Sequence, residues 1–177
     1  MSRQPHDQTP EARFAAVFAH LGAVAAYARR RGAVDSEAVA AEAMTIAWRR
    51  LADVPADDAR PWLYATARNL VRAEFRRRVT TTGDAGLEQA PAPVTAAAEL
   101  DPAIATALAA LSPFDREALL LVAWEDLTPT QAARSLGINP TAFRVRLLRA
   151  RRRVRAALEI ATVPQPLPRA QTEMETT

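Results

Sequence analysis

Arg144, Arg146, Arg149, Arg151, Arg152, Arg153 and Arg155 crowd one short stretch, and no Asp or Glu occurs from residue 128 to 155. Guanidinium groups at that density have a natural counterpart in a polyanion, because their planar fork makes bidentate contacts to phosphate oxygens or to a guanine edge. A helix face that is merely solvated usually mixes signs and gains Glu–Arg pairs. Interleaved with the arginines, Phe143, Leu147, Ala150 and Val154 recur at spacings of four, three and four residues. That period marks one helix with an apolar stripe on one side and cations on the other. The chemistry implied is nucleic-acid binding.

The residues just upstream say how such a helix would be presented. Thr128, Pro129 and Gln131 make a capping box with proline at the first helical position. Asn139 and Pro140 repeat the device, and Gly137 between them can take the left-handed conformation that ends the first helix. Leu127, Ala132, Ala133, Leu136 and Ile138 supply the small and branched groups that wedge two short helices at a steep angle. This is the composition of a helix-turn-helix, whose second helix enters the major groove. Its N-terminal half offers Thr141, Ala142, Arg144, Val145, Arg146 and Arg149 as candidate base readers, with Arg144 and Arg149 best phased. Arg151, Arg152 and Arg153 lie further along and suit phosphates or solvent.

A second basic stretch begins at Pro61. Leu63, Ala67, Leu70 and Ala73 form its apolar stripe, while Trp62, Tyr64, Arg68, Asn69, Arg72 and Arg76 can lie on or beside the exposed side. Aromatic rings mixed with cations suit unstacked bases tracked by phosphate contacts; the same aromatics equally serve as packing residues at a helix start. Upstream, Thr9 and Pro10 open a helix whose stripe (Phe14, Val17, Phe18, Leu21, Val24, Ala25, Ala28) runs on to Arg29, Arg30 and Arg31, with Gly32 as the stop. Another helix runs from Asp35 and Ser36 to about Leu51, followed by an acidic loop over residues 52–60.

Composition narrows the classes. The 177 residues contain no cysteine and two histidines, which leaves no disulfide framework, thiolate site or histidine metal cluster. Every basic residue is arginine; the net charge is +3 and the pI about 10.4. The longest apolar run, residues 14–28, falls short of the ~20 residues of a membrane span, so a cytoplasmic protein without membrane insertion is expected. No paired carboxylates, activated nucleophile or glycine-rich phosphate loop suggests an enzyme, and no cofactor is expected. The organisation expected is all-α: a frayed N-terminus (1–8), a first helical domain (9–79), a flexible linker (80–100) rich in Thr, Gly, Pro and Ala, a helix-turn-helix domain (101–160) and a disordered tail (161–177).

Two helical domains, such a linker and a C-terminal helix-turn-helix together resemble a bacterial RNA polymerase sigma factor of the extracytoplasmic-function (ECF) type. The resemblance covers about residues 13–158. Residues 111–122 (Leu-Ser-Pro-Phe-Asp-Arg-Glu-Ala-Leu-Leu-Leu-Val), the helix-turn-helix and Arg149-Ala-Arg-Arg-Arg-Val are similar to the family's fourth region, which reads the minus-thirty-five promoter element. Residues 61–70 (Pro-Trp-Leu-Tyr-Ala-Thr-Ala-Arg-Asn-Leu) resemble the second-region helix that meets the melted minus-ten element, giving Trp62, Arg68, Asn69, Arg72 and Arg76 that role by implication. The helix from Asp35 occupies the place of the polymerase-docking motif, where Asp35, Glu37 and Glu42 match, while Ala38 and Ala41 stand where aspartate and glutamine are common. Asp126 stands where the family usually has glycine. The resemblance implies RNA polymerase core, promoter DNA and an anti-sigma factor as partners. A stand-alone helix-turn-helix regulator is the alternative; it explains the C-terminal half but not the arginine-aromatic helix.

Overall fold

A side-chain acceptor followed by proline opens helix after helix in this chain. The computed structural model describes residues 9–82 and 100–162, so the expected N-terminal fray, most of the linker and most of the tail lie outside the described residues. All regular structure among those residues is helical: α1 (Pro10–Phe18), α2 (Leu21–Arg30), α3 (Ser36–Arg49), a 3-10 turn (Leu51–Asp53), α4 (Arg60–Thr82), α5 (Pro102–Ala109), α6 (Pro113–Ala123), α7 (Pro129–Leu136) and α8 (Pro140–Thr162). Thr9, Asp101, Ser112 and Thr128 each accept a backbone N–H of the first turn ahead of a proline. The Asn139 carboxamide oxygen accepts from Thr141 N at 2.7 Å. Donors that a helix start would otherwise leave without partners are thus met locally.

The single helix expected over residues 10–31 is two. His20 N donates to Val17 O at 3.1 Å, a tightened turn, and His20 sits at φ −88°, ψ 2°. The bend sends the two parts of the apolar stripe to different places. Phe14 and Phe18 lie against each other, and Phe14 meets the Trp48 ring edge-on with centroids 5.0 Å apart. Val24, Tyr27 and Ala28 enter the main core. Two ends also run further than expected: α4 continues through residues 80–82 and α8 through 161–162, stretches expected in the linker and the tail.

Both halves of the chain contribute to one core. Leu63, Tyr64 and Ala67 of α4 belong to the same buried cluster as Ala118 and Leu121 of α6, Ala132 and Ala133 of α7, and Phe143 and Leu147 of α8. The α4–α7 contact carries this junction, and the Gln131 carboxamide N–H donates to Asp58 Oδ2 at its edge. Burial opposes ionisation of Asp58, but hydrogen bonds from Arg60 and Gln131 outweigh it and hold the carboxyl below its usual range. A charged group reinforces the junction. Arg30 pairs with Glu125 at 2.5 Å, while Arg31 pairs with Glu117 at 3.1 Å and Glu125 at 3.2 Å. Tyr27 O–H donates to Glu117 at 3.0 Å, and the Arg31 guanidinium lies 3.8 Å from the Tyr27 ring centroid. A smaller cluster of Leu108, Leu111, Leu120 and Ala150 seats α5 on α6 and α8. There Arg116 donates to the carbonyls of Leu108, Ala109 and Leu111, closing the C-terminal end of α5.

The α7–α8 turn depends on Gly137 at φ +66°, with Ile138 N reaching back to Ala133 O at 3.1 Å. A Cβ there would meet nothing within 4 Å. Gly137→Ala therefore costs only backbone strain, about 1–2 kcal/mol, measurable as a lower urea midpoint with an unchanged slope.

Candidate nucleic-acid interface

The capped turn places α8 with Phe143, Leu147 and Ala150 fully inward. Thr141, Val145, Leu148 and Arg152 recur at four, three and four residues on the opposite side, and all are exposed. Ala142, Arg144 and Arg149 are exposed and flank that line at roughly 60–100°. Val145 and Leu148 give the centre of the face an apolar character suited to a thymine methyl. Leu148 is absent from the sequence-based candidates. Its period had marked it, yet its apolar side chain drew no attention beside the arginines. Arg152, expected further from the bases, shares the central line with Val145.

Arg146 is arranged differently from the other candidates. Its guanidinium pairs with Asp115 Oδ1 at 3.3 Å and lies 5.4 Å from the Phe114 ring centroid. Arg153 reaches Asp115 Oδ2 at 2.8 Å. Asp115 is buried on α6, so one carboxylate holds two α8 arginines.

On α4, Trp62, Asn69 and Arg76 recur at seven residues and so lie within about 40° of one another, with Arg72 beside them. Asn69, Arg72 and Arg76 are exposed. Trp62 is half-buried and packs against the core, so it serves as a packing residue with one edge towards this face. Arg68 is half-buried a quarter-turn away. Tyr64, expected on or beside the exposed side, is 3% exposed and stacks on Tyr27 at 4.8 Å between centroids. Its position follows from packing against α2, which the α4 sequence does not register. Burial, then the cations of Arg68 and Arg76, push the Arg72 guanidinium below its ordinary value.

The α3 residues separate by role. Asp35 caps the helix, its carboxylate accepting from Ala38 N at 2.8 Å. Glu37 and Glu42 are exposed and stand about 140° apart, bordering a face that holds Ala38, Ala41, Thr45 and Trp48. The three groups of candidates are therefore not one site: α3, α4 and α8 present three separate faces. Asp126, at φ 51°, takes the left-handed conformation at the turn before α7. Among the described residues no helix is long and apolar enough to cross a membrane.

The chain is similar to known proteins in sequence and in fold. Residues 102–154, which include α5 to α7 and most of α8, match the family Sigma-70, region 4. A probable RNA polymerase sigma factor, RfaY, from Xanthomonas campestris pv. campestris is 36% identical over 146 residues. That match covers 75% of this chain and 36% of the relative, so the chain spans about a third of that protein's length. The fold is similar to that of sigma factor RpoE, solved with the anti-sigma factor NepR from Bartonella quintana. The TM-score is 0.63 at 22% identity, covering 82% of this chain and 96% of that one. It is also similar to CnrH, solved with the cytosolic domain of CnrY, with a TM-score of 0.58 at 26% identity over 86% of this chain and 90% of that one.

Asp115→Asn tests the division of the arginines. Freeing Arg146 and Arg153 is expected to steepen the log–log salt dependence of duplex binding by about one to two, since each phosphate contact contributes ~0.9. Fluorescence anisotropy at four salt concentrations measures it, and an unchanged slope places both arginines off the DNA.

Proposed function

We propose that the chain is a sigma factor of the extracytoplasmic-function type, which directs RNA polymerase core to specific promoters and assists their melting. One observation carries the reading. Among the described residues two separate basic faces stand out: Arg144, Arg149 and Arg152 on α8, in a stretch free of acidic residues from 128 to 155, and Asn69, Arg72 and Arg76 on α4. A stand-alone regulator needs only the first. In this proposal α8 reads duplex DNA at the minus-thirty-five element through Thr141, Ala142, Arg144, Val145 and Arg149. The α4 face meets the unstacked minus-ten strand through Asn69, Arg72 and Arg76, aided by Arg68 and by the exposed edge of Trp62. The α3 face, with Glu37 and Glu42 at its borders, docks on the polymerase, and Asp35 acts there by capping the helix.

The mechanism is one of binding. Phosphate contacts from α8 fix register while a few base-edge contacts select sequence. On α4, stacking and charge favour the separated strand over the duplex, so binding energy is directed into opening. The protein acts as a cytoplasmic specificity subunit rather than as a catalyst. Sigma factor RpoE, whose fold is similar, was solved with the anti-sigma factor NepR, and a partner of that kind is proposed here too.

Purified protein added to core polymerase is expected to yield promoter-dependent transcripts; transcripts that do not depend on it would overturn the proposal. Glu37→Lys with Glu42→Lys is expected to weaken core binding about tenfold with helix content unchanged, measured by titration of labelled protein. Replacing Asn69 by alanine should leave initial duplex binding near wild type while reducing permanganate reactivity at the minus-ten bubble. Arg144→Ala is expected to cost ~1–3 kcal/mol and to relax preference at one or two base pairs in a promoter-library selection.

A further inference from the structure

Two apolar side chains lie at the centre of the basic face of α8. Val145 is 44% exposed and Leu148 56%, on the side of the helix opposite the buried Phe143, Leu147 and Ala150. Each stands within about 30° of the outermost direction, with Arg144 and Arg149 about 70° to either side of it. Scattered apolar residues on a surface are ordinary. These two are neighbours, however, and the stretch from 128 to 155 holds no acidic residue. The cations around them therefore bring a polyanion to the same face.

Their chemistry limits what they can read. Neither side chain donates or accepts a hydrogen bond, so neither distinguishes bases by the donor and acceptor pattern of the major groove. The apolar group that a base edge presents there is the C5 methyl of thymine. Three residues along α8 rise about 4.5 Å, close to the ~3.4 Å between successive base steps, so methyls on neighbouring pairs come within reach of both side chains. Both are short, so the contact needs α8 deep in the groove, where the longer Arg144 and Arg149 reach phosphates or guanine edges on either side. Cytosine at either place brings its N4 amine against a group with no acceptor, leaving a dehydrated donor unpaired. We propose that Val145 and Leu148 are a specificity-determining pair that reads C5-methyl pyrimidines: thymine in unmodified DNA, and 5-methylcytosine where the duplex is methylated. The pair rests on α8 entering duplex DNA, as in the proposed function, and not on the polymerase-directed part of that reading.

The full-length chain, alone and with core polymerase, is first offered a duplex library to obtain its preferred element. Each thymine of that element is then replaced in turn by deoxyuridine, which removes the C5 methyl and leaves pairing and every hydrogen-bonding edge the same. Uracil at one or two positions is expected to weaken binding about fourfold each, the factor for one buried methyl-sized group of ~0.8 kcal/mol. At the same positions 5-methylcytosine should bind about fourfold better than cytosine. Val145→Ser with Leu148→Ser is expected to bind thymine and uracil duplexes alike, and cytosine and 5-methylcytosine duplexes alike. Damage to the fold weakens all four duplexes together and keeps their ratios, so it does not imitate this result. Native binding indifferent to uracil at every thymine, or a serine variant that keeps the thymine preference, overturns the pair. Binding of 5-methylcytosine no better than cytosine overturns the extension to methylated DNA. A chain that prefers no duplex, with or without core polymerase, overturns both the pair and the DNA-reading role of α8. Uracil sensitivity without promoter-dependent transcripts leaves the pair standing and overturns the polymerase-directed function.

Discussion

The buried pairing of Arg31 with Glu125 and Glu117 is the constraint on which the arrangement of the rest depends. Burying a guanidinium is costly unless carboxylates meet it closely, and removing one partner of such a pair typically costs about 3–5 kcal/mol. Glu125 lies one residue before Asp126, whose left-handed backbone leads into Leu127 and the capping box of α7. Fixing Glu125 therefore fixes where the helix-turn-helix begins. From the other side, Arg30 and Arg31 extend from the end of α2, where Gly32 turns the chain. The charge pair joins the termination of one helix to the initiation of another, and the α4–α7 packing follows between those anchors.

Arginine performs two unrelated tasks in this protein. Arg30, Arg31, Arg116, Arg146 and Arg153 are taken up by carboxylates or helix-end carbonyls and hold elements together. Arg72 and Arg76 on α4, and Arg144, Arg149 and Arg152 on α8, face outwards. Net charge does not distinguish the two populations. What separates them is whether a buried carboxylate or a helix-end carbonyl lies within reach, and Asp115 shows how one acidic residue engages two cations of one helix. The set free to face DNA on α4 and α8 is correspondingly smaller than the arginine count of those helices implies.

Helix α4 works in both directions. Leu63, Tyr64, Ala67 and Val71 are buried, and the same helix shows Asn69, Arg72 and Arg76 to solvent. The Tyr64–Tyr27 stack holds its first turns on α2, so the rotation of the outward face is set by aromatic packing on the inward one. In α8 the equivalent role falls to Phe143 and Leu147. Each candidate DNA face is thus aimed by a rigid apolar contact a half-turn away, and long polar side chains need supply only the last few ångströms.

Local signals in the sequence determined much of this protein. The capping box, the Asn139–Pro140 start, the glycine stops and the four-, three- and four-residue spacing of Phe143, Leu147, Ala150 and Val154 are features of residues close in the chain. They therefore specify α7, α8 and their turn before any tertiary contact forms. The same is true of the Asp35 cap and of the basic outer faces of α4 and α8. Only the folded chain decided which aromatics are buried, that one apolar stripe bends at His20 into two helices, that Arg146 and Arg153 belong to Asp115, and that both halves share a core. Those features pair residues tens of positions apart, such as Arg31 with Glu125 or Asp58 with Gln131, and nothing in their spacing along the chain records that they meet. Helix ends and faces are matters of local geometry, whereas the partner of a charge is chosen by whatever the fold brings within about 3 Å of it.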